Sequence, residues 1–125
     1  MQKVYFDGSS KGNPGPITTA VHLNGQNYFS KSGHHGSGTG NEAEYLAAMF
    51  AVNMALKNKF QSIELIGDSK IVIDALSNGS APPGSKFNQI VRQILAKTKS
   101  FVAIKYFHVC RDKNLAGIAM EQHLR

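Results

Sequence analysis

The sequence predicts a mixed α/β fold, a sheet with helices packed on its faces, and three observations carry that expectation. Read in order, the elements run β-β-β-α-β-α-α-β-α, a meander of strands followed by strands alternating with helices. The predicted strands contain no proline, which suits central strands that need all their N–H donors. The chain's 125 residues, 42% of them hydrophobic, suffice for one buried core, so residues 1–125 are expected to form a single domain.

Residues 2–8 alternate, with Val4 and Phe6 facing one way and Tyr5 and Asp7 the other, the period of a strand. Gly8 to Gly15, GSSKGNPG, is dense in turn residues. The β-rich stretches 17–23 and 27–32 flank Asn24-Gly25, a strong hairpin signal. Gly33 to Gly40, GHHGSGTG, reads as a flexible loop. A helix follows, capped by Asn41, with Tyr45, Leu46, Met49, Val52 and Leu56 at helical spacing. Residues 62–67 form a short strand that ends at Asp68, and 69–77 a short helix. Residues 78–85, NGSAPPGS, read as a surface loop between helices. Phe87, Ile90, Val91, Ile94 and Leu95 make an apolar helical stripe. Residues 101–109 are a β-branched and aromatic strand, and the tail from about Leu115 to Arg125 is a short helix.

A single cysteine, Cys110, excludes an internal disulfide and points to a reducing compartment, so a cytoplasmic location is expected. No apolar run approaches the ~20 residues that span a bilayer. The opening residues, MQKVYFDGSS, do not read as a secretory signal. Fourteen Lys+Arg against eight Asp+Glu give a net charge of +6. That balance favours a polyanionic partner, usually nucleic acid, although charge alone does not separate such a protein from a generic basic domain.

With eight acids in the chain, each can be weighed. Asp7 lies on a strand beside Tyr5 and Phe6, where a carboxylate is costly to bury unless it is paired or bound to a metal. Taken alone it reads as an edge-strand acid facing water. Glu44 falls in the first turn of the long helix, where the dipole favours an acid without any catalytic role. Asp68 ends a strand just before a helix, at the sheet edge where ligands gather; it could cap that helix, but Asp and Ser together in GDSK supply more capping than the helix needs, which favours a functional role. As a set the three say more, because they converge if the first and fourth strands are neighbours. Converging carboxylates repel one another unless cations sit between them. Mg²⁺ prefers such oxygen sites. Two metals about 3.5–4 Å apart activate a water and stabilise the leaving oxygen of a phosphodiester.

Four blocks then carry a resemblance: DGSSKGNPG (7–15), TGNEAEYLAA (39–48), GDSKIVIDAL (67–76) and HVCRDKN (108–114). In this order, over nearly the whole chain, they resemble the signature blocks of type I ribonuclease H, in its compact bacterial, archaeal and plant-type branch. The resemblance implies a five-stranded mixed sheet of order 3-2-1-4-5 flanked by helices. It implies an endonuclease that hydrolyses the RNA strand of RNA/DNA hybrids with two Mg²⁺ or Mn²⁺ ions, leaving a 5′-phosphate and a 3′-hydroxyl. Asp7, Glu44 and Asp68 become metal-binding catalytic carboxylates, and Arg111 a catalytic cation that orients phosphate or helps product leave. Ser10, Gly12, Asn13 and Asn41 match positions near the RNA backbone. Lys11, Lys70, Lys86, Arg111 and Lys113 become candidate phosphate contacts.

The chain departs from the family pattern at one consequential place. A fourth acid normally follows the last block, in a pattern like NxxAD; here the stretch is Asn114-Leu115-Ala116-Gly117-Ile118. Isoleucine cannot ligate a metal, and the candidate substitutes are Asp112 and Glu121. The second metal site is therefore expected to be weakened, with reduced activity in Mg²⁺ and better activity in Mn²⁺. His34, His35 and His108 are expected to be loop and strand residues, and Cys110, which stands where the family has proline, to be inert. The chain has no tryptophan and no Lys/Trp-rich insertion after residues 69–77, so weak substrate binding and low processivity are expected. The expected oligomeric state is a monomer. The alternative is a catalytically degenerate ribonuclease H-like domain that binds nucleic acid or protein without cleaving.

Overall fold

The computed structural model describes residues 1–12 and 14–124, with residues 32–37 in backbone only. Strands β1 (Gln2–Ser10), β2 (Gly15–Leu23) and β3 (Gln26–Gly38) lead into helix α1 (Gly40–Lys57). Then come β4 (Ser62–Gly67), α2 (Lys70–Asn78), α3 (Asn88–Thr98), β5 (Ala103–His108) and α4 (Leu115–His123). A short 3-10 turn, Arg111–Lys113, leads into α4. The sheet order is β3-β2-β1-β4-β5, as the resemblance implies. β1 pairs antiparallel with β2, placing Asp7 opposite Ala20, and parallel with β4, placing Tyr5 opposite Ile66. Strand order thus reverses at β1, and a crevice opens beyond the carboxyl ends of β1 and β4, where open α/β sheets bind ligands.

Four strands differ from their predicted extents: β1 runs on to Ser10, into the stretch read as turn, β5 is shorter at Ala103–His108, and β2 and β3 are both longer. β2 starts at Gly15 and takes in Pro16, with the pairing register broken between Pro16 and Ile17. A bulge is one of the few places a strand tolerates a residue without an N–H. β3 runs on to Gly38 where a loop is predicted, because its pairing with β2 resumes at Ser37 opposite Pro16.

Helix α1 corrects the sequence reading in two ways. Its cap is Thr39, not Asn41: the Thr39 hydroxyl oxygen accepts the Glu42 N–H at 3.1 Å. Its buried face is made mainly of alanine (Ala43, Ala47, Ala48, Ala51 and Ala55, with Tyr45 and Val52), whereas Leu46, Met49 and Leu56 are only partly buried. Small residues let the helix backbone close on the sheet. At the closest point a methyl group added to Gly8 would stand 2.1 Å from the Ala43 carbonyl oxygen.

Beneath α1, α2 and α3 lies the main core, where Val4, Phe6, Ile63 and Leu65 pack against Val52, Val72, Leu76, Val91 and Ile94. On the opposite face Ala20, Ala116 and Met120 form a smaller cluster with Tyr5 and Phe29, under α4. β1 is therefore covered on both faces. Asp7, read alone as an edge-strand acid facing water, instead sits on the central strand and is 1% exposed. Among the described residues no helix is long and apolar enough to cross a membrane.

Gly8→Ala is expected to destabilise the protein by on the order of 3 kcal/mol, because the added methyl meets rigid backbone rather than a movable side chain. Thermal unfolding followed by circular dichroism checks this; an unchanged Tm would mean that α1 stands farther from β1.

Candidate active site

Three elements deliver three carboxylates to the crevice. Asp7 comes from β1, Glu44 from the first turns of α1, and Asp68 from the residue after β4. One oxygen from each lies within 4.8 Å of the others. Asp68 is free for this because Ser69, not Asp68, caps α2, its hydroxyl oxygen accepting the Val72 N–H. Glu44 is held by the same close approach that excludes a side chain at position 8: the Gly8 N–H donates to Glu44 Oε1 at 2.9 Å. Both oxygens of Asp7 are buried and neither has a hydrogen-bond partner among the described residues.

Asn114 supplies the frame behind the carboxylates. It is fully buried, and its Nδ2 donates to the Phe6 carbonyl at 2.9 Å and to Asp68 Oδ2 at 3.3 Å. Its Oδ1 accepts the Ala116 N–H at 3.1 Å, which caps α4. One amide side chain thus joins β1, Asp68 and α4 with both N–H donors used. The His108 ring Nε2 lies 3.2 Å from the Asp68 carbonyl oxygen and can donate to it.

Packing acids this closely raises their proton affinity. Burial, then the charges of Asp7 and Asp68, push Glu44 up to about 9, against the Gly8 N–H and Arg111. Burial, then Asp68, push Asp7 up to about 7, against Arg111 and the Gly8 amide. The Gly8 N–H directs its hydrogen bond to Glu44 and reaches Asp7 only as a neighbouring dipole. A proton or a cation relieves the repulsion. Buried, partnerless carboxylate oxygens beside two further carboxylates are a hard-oxygen donor set that fits a divalent cation.

The other predicted residues divide. Arg111 opens the 3-10 turn, is exposed, and acts electrostatically on both Asp7 and Glu44. Asp112 and Glu121 are exposed and neither belongs to the carboxylate group. Ile118 is 39% exposed, whereas the preceding Gly117 faces the cluster, since a methyl there would stand 3.5 Å from Asp68 Oδ2. The Ser10 hydroxyl donates to the Gly38 carbonyl and so ties β1 to the end of β3. The Lys11 N–H donates to the Pro16 carbonyl at 2.9 Å, and its side chain is exposed. Gly12 is exposed with φ +96°, a backbone conformation that favours glycine. Asn13 lies outside the described residues, as do the side chains of His34 and His35. Lys70 pairs with Asp74 at 2.9 Å on the open surface of α2. Asn41 lines a groove of about 650 Å³ with Gly8, Thr39, Glu44, Ser69 and Lys86. Sequence reasoning missed Thr39 and Asn114 as parts of this region. Both carry a legible signal, a capping residue immediately before a helix.

A five-stranded sheet of this order, with three carboxylates gathered at its switch point, defines a ribonuclease H-like domain. The chain matches the family described as reverse transcriptase-like over residues 6–120, and it belongs to that family. It is 42% identical over 71 residues to Ribonuclease HI of Halobacterium salinarum, a match that covers 54% of this chain and 36% of that protein. The aligned stretch thus spans about a third of that relative's length. The crystal structure of RNase H1 from the halophilic archaeon Halobacterium salinarum NRC-1 is similar with a TM-score of 0.84 and 29% identity, over 94% of this chain and 92% of that one. LC11-RNase H1, solved in complex with an RNA/DNA hybrid, shares the fold with a TM-score of 0.80 and 20% identity over 100% of both chains.

Two predictions arise from this geometry. Asn114→Ala leaves the Phe6 carbonyl buried without its donor and removes the α4 cap, and is expected to cost about 2–3 kcal/mol by chemical denaturation. The second concerns pH in chelator. Asp7 titrates at about 7 folded against an ordinary value of 3.8, so its ionisation disfavours the folded state. Its contribution is therefore most favourable below about pH 4 and falls as pH rises to about 7. Asp7→Asn removes that loss. Its Tm is expected to exceed the parent's by about 3–8 °C at pH 8 without metal, with the gap closing toward pH 4. A gap independent of pH would contradict the buried, repelled carboxylate.

Proposed function

We propose that this protein is a divalent-metal-dependent endoribonuclease that hydrolyses the RNA strand of RNA/DNA hybrids, with residues 1–125 acting as one domain. The observation that carries this reading is the gathering of Asp7, Glu44 and Asp68 around buried Asp7 oxygens that have no protein partner. The relatives support it: one is named Ribonuclease HI, another structure RNase H1, and LC11-RNase H1 was solved on a hybrid.

On this reading Asp7, Glu44 and Asp68 hold Mg²⁺ or Mn²⁺. Bound there, the ions supply an activated water and neutralise charge developing on the scissile phosphate. The chain's own residues fix where that chemistry happens. The Gly8 N–H sets the Glu44 carboxylate and Asn114 sets Asp68, so the oxygens are presented without rearrangement. Arg111, exposed beside the acids, orients the phosphate and offers a cation to the 5′-phosphate product. Ser10, Gly12 and Asn41 contact the RNA strand, with Lys11 and Lys70 at phosphates. Lys70 can exchange its exposed Asp74 partner for phosphate at little cost. Ile118 leaves the site one acid short of the family pattern, and neither Asp112 nor Glu121 joins the group, so the second ion is held weakly.

Cleavage of an end-labelled hybrid in Mg²⁺ and in Mn²⁺ tests this. The RNA strand is expected to be cut, faster in Mn²⁺ than in Mg²⁺. Asp7→Asn should slow it by about 100-fold or more. Folded protein that cuts in neither metal would leave the alternative, a domain that binds nucleic acid or protein without cleaving.

A further inference from the structure

We propose that Glu42 sets the protein's affinity for nucleic acid by competing with phosphate for Lys86. The inference rests on the hybrid-binding reading above and deepens it.

Two grooves meet at Lys86 and Phe87. One, about 650 Å³, runs from Glu44 and Gly8 past Thr39 and Asn41 to this pair. The other, about 340 Å³, continues past Glu42 and Tyr45 along Gln89 and Gln93 of α3. Lys86 is the one Lys or Arg among the described residues lining either groove. It is anchored from below: the Phe87 ring stacks on the buried Tyr45 with centroids 4.7 Å apart, and the Lys86 ammonium lies 5.3 Å from the Phe87 centroid.

That cation is already engaged, since Lys86 Nζ lies 3.5 Å from Glu42 Oε1. Glu42 is fixed in turn by the α1 cap. Its N–H donates to the Thr39 hydroxyl at 3.1 Å, and that hydroxyl lies 3.4 Å from Oε1 and can donate to it. The acid thus sits on a rigid helix start and points into the path of a polyanion. Both partners are substantially exposed, at 68% for Lys86 and 37% for Glu42. The pair is therefore weak enough for phosphate to displace and strong enough to tune binding. A lysine released from an acid makes one more counterion-releasing phosphate contact.

The test is the Kd of a fluorescent RNA/DNA hybrid by anisotropy, in EDTA so that nothing is cleaved, for the parent, Glu42→Gln, Lys86→Ala and the double variant. Glutamine keeps an oxygen for Thr39, and a preserved Tm confirms the cap; Glu42→Ser removes the charge by a second route. Glu42→Gln is expected to tighten binding about two- to five-fold. The slope of log Kd against log salt, between about 50 and 200 mM KCl, should steepen by about 0.7–0.9. Lys86→Ala should weaken binding and abolish the gain from Glu42→Gln. An unchanged Kd in both Glu42 variants, or an equal gain when Lys86 is absent, would overturn the inference. Cleavage by the parent is assayed in parallel. Binding without cleavage fails the proposed function alone, whereas cleavage with Glu42 variants unaltered fails this inference alone.

Discussion

The separation between helix α1 and strand β1 governs this molecule. At Gly8 the helix backbone comes so near that a methyl group would overlap the Ala43 carbonyl. An alanine face makes that possible, and the consequence is chemical. The Gly8 N–H, which has no side chain beside it to hold the helix away, reaches the Glu44 carboxylate one residue along from Asp7. A bulkier helix face would bury more apolar area and would move Glu44 out of reach of both. Packing here has been set by the needs of a polar cluster rather than by the largest hydrophobic gain.

The cluster pays no attention to self-repulsion. Three acids share a crevice, and two have proton affinities far above their ordinary range because burial and their neighbours disfavour charge. Such an arrangement is a standing liability to the folded chain, relieved by anything positive that enters. The surrounding frame holds the acids together despite that. Asn114 ties β1, Asp68 and α4 through one buried amide, and Ser69 takes over the capping that would otherwise occupy Asp68.

Much of this was legible in the sequence. Strand alternation, the Asn24-Gly25 turn and the apolar stripe of α3 indicate the elements, and the four blocks indicate the sheet order and the three acids. What escaped has physical reasons. Tyr45 and Val52 belong to the buried face of α1, but alanine carries too little hydrophobic signal to show that the face is set by Ala43, Ala47, Ala51 and Ala55 rather than by leucine and methionine. Asn41 is a good capping residue by type, yet Thr39 two positions earlier caps the helix. Asp7 alone resembles a solvated acid because β1's central place depends on pairing with β4, more than fifty residues away. The side that Gly117 presents to Asp68 depends on how α4 is rotated, which the spacing of acids in the sequence does not reveal.

The hydrogen bond from Asn114 to the Phe6 carbonyl joins residues 108 positions apart. β1 takes its two sheet partners by different routes. The β2–β3 meander can pair with it at once through short turns, whereas β4 must cross over through α1 before it can lie alongside. Asn114 closes the frame behind Asp68 from the far end of the fold's topology, beyond β5. A fold in which this contact is broken carries Asp7, Glu44 and Asp68 without the clamp behind them. Docking of α4 is therefore coupled to the alignment of the acids: whatever loosens that helix loosens Asp68 with it.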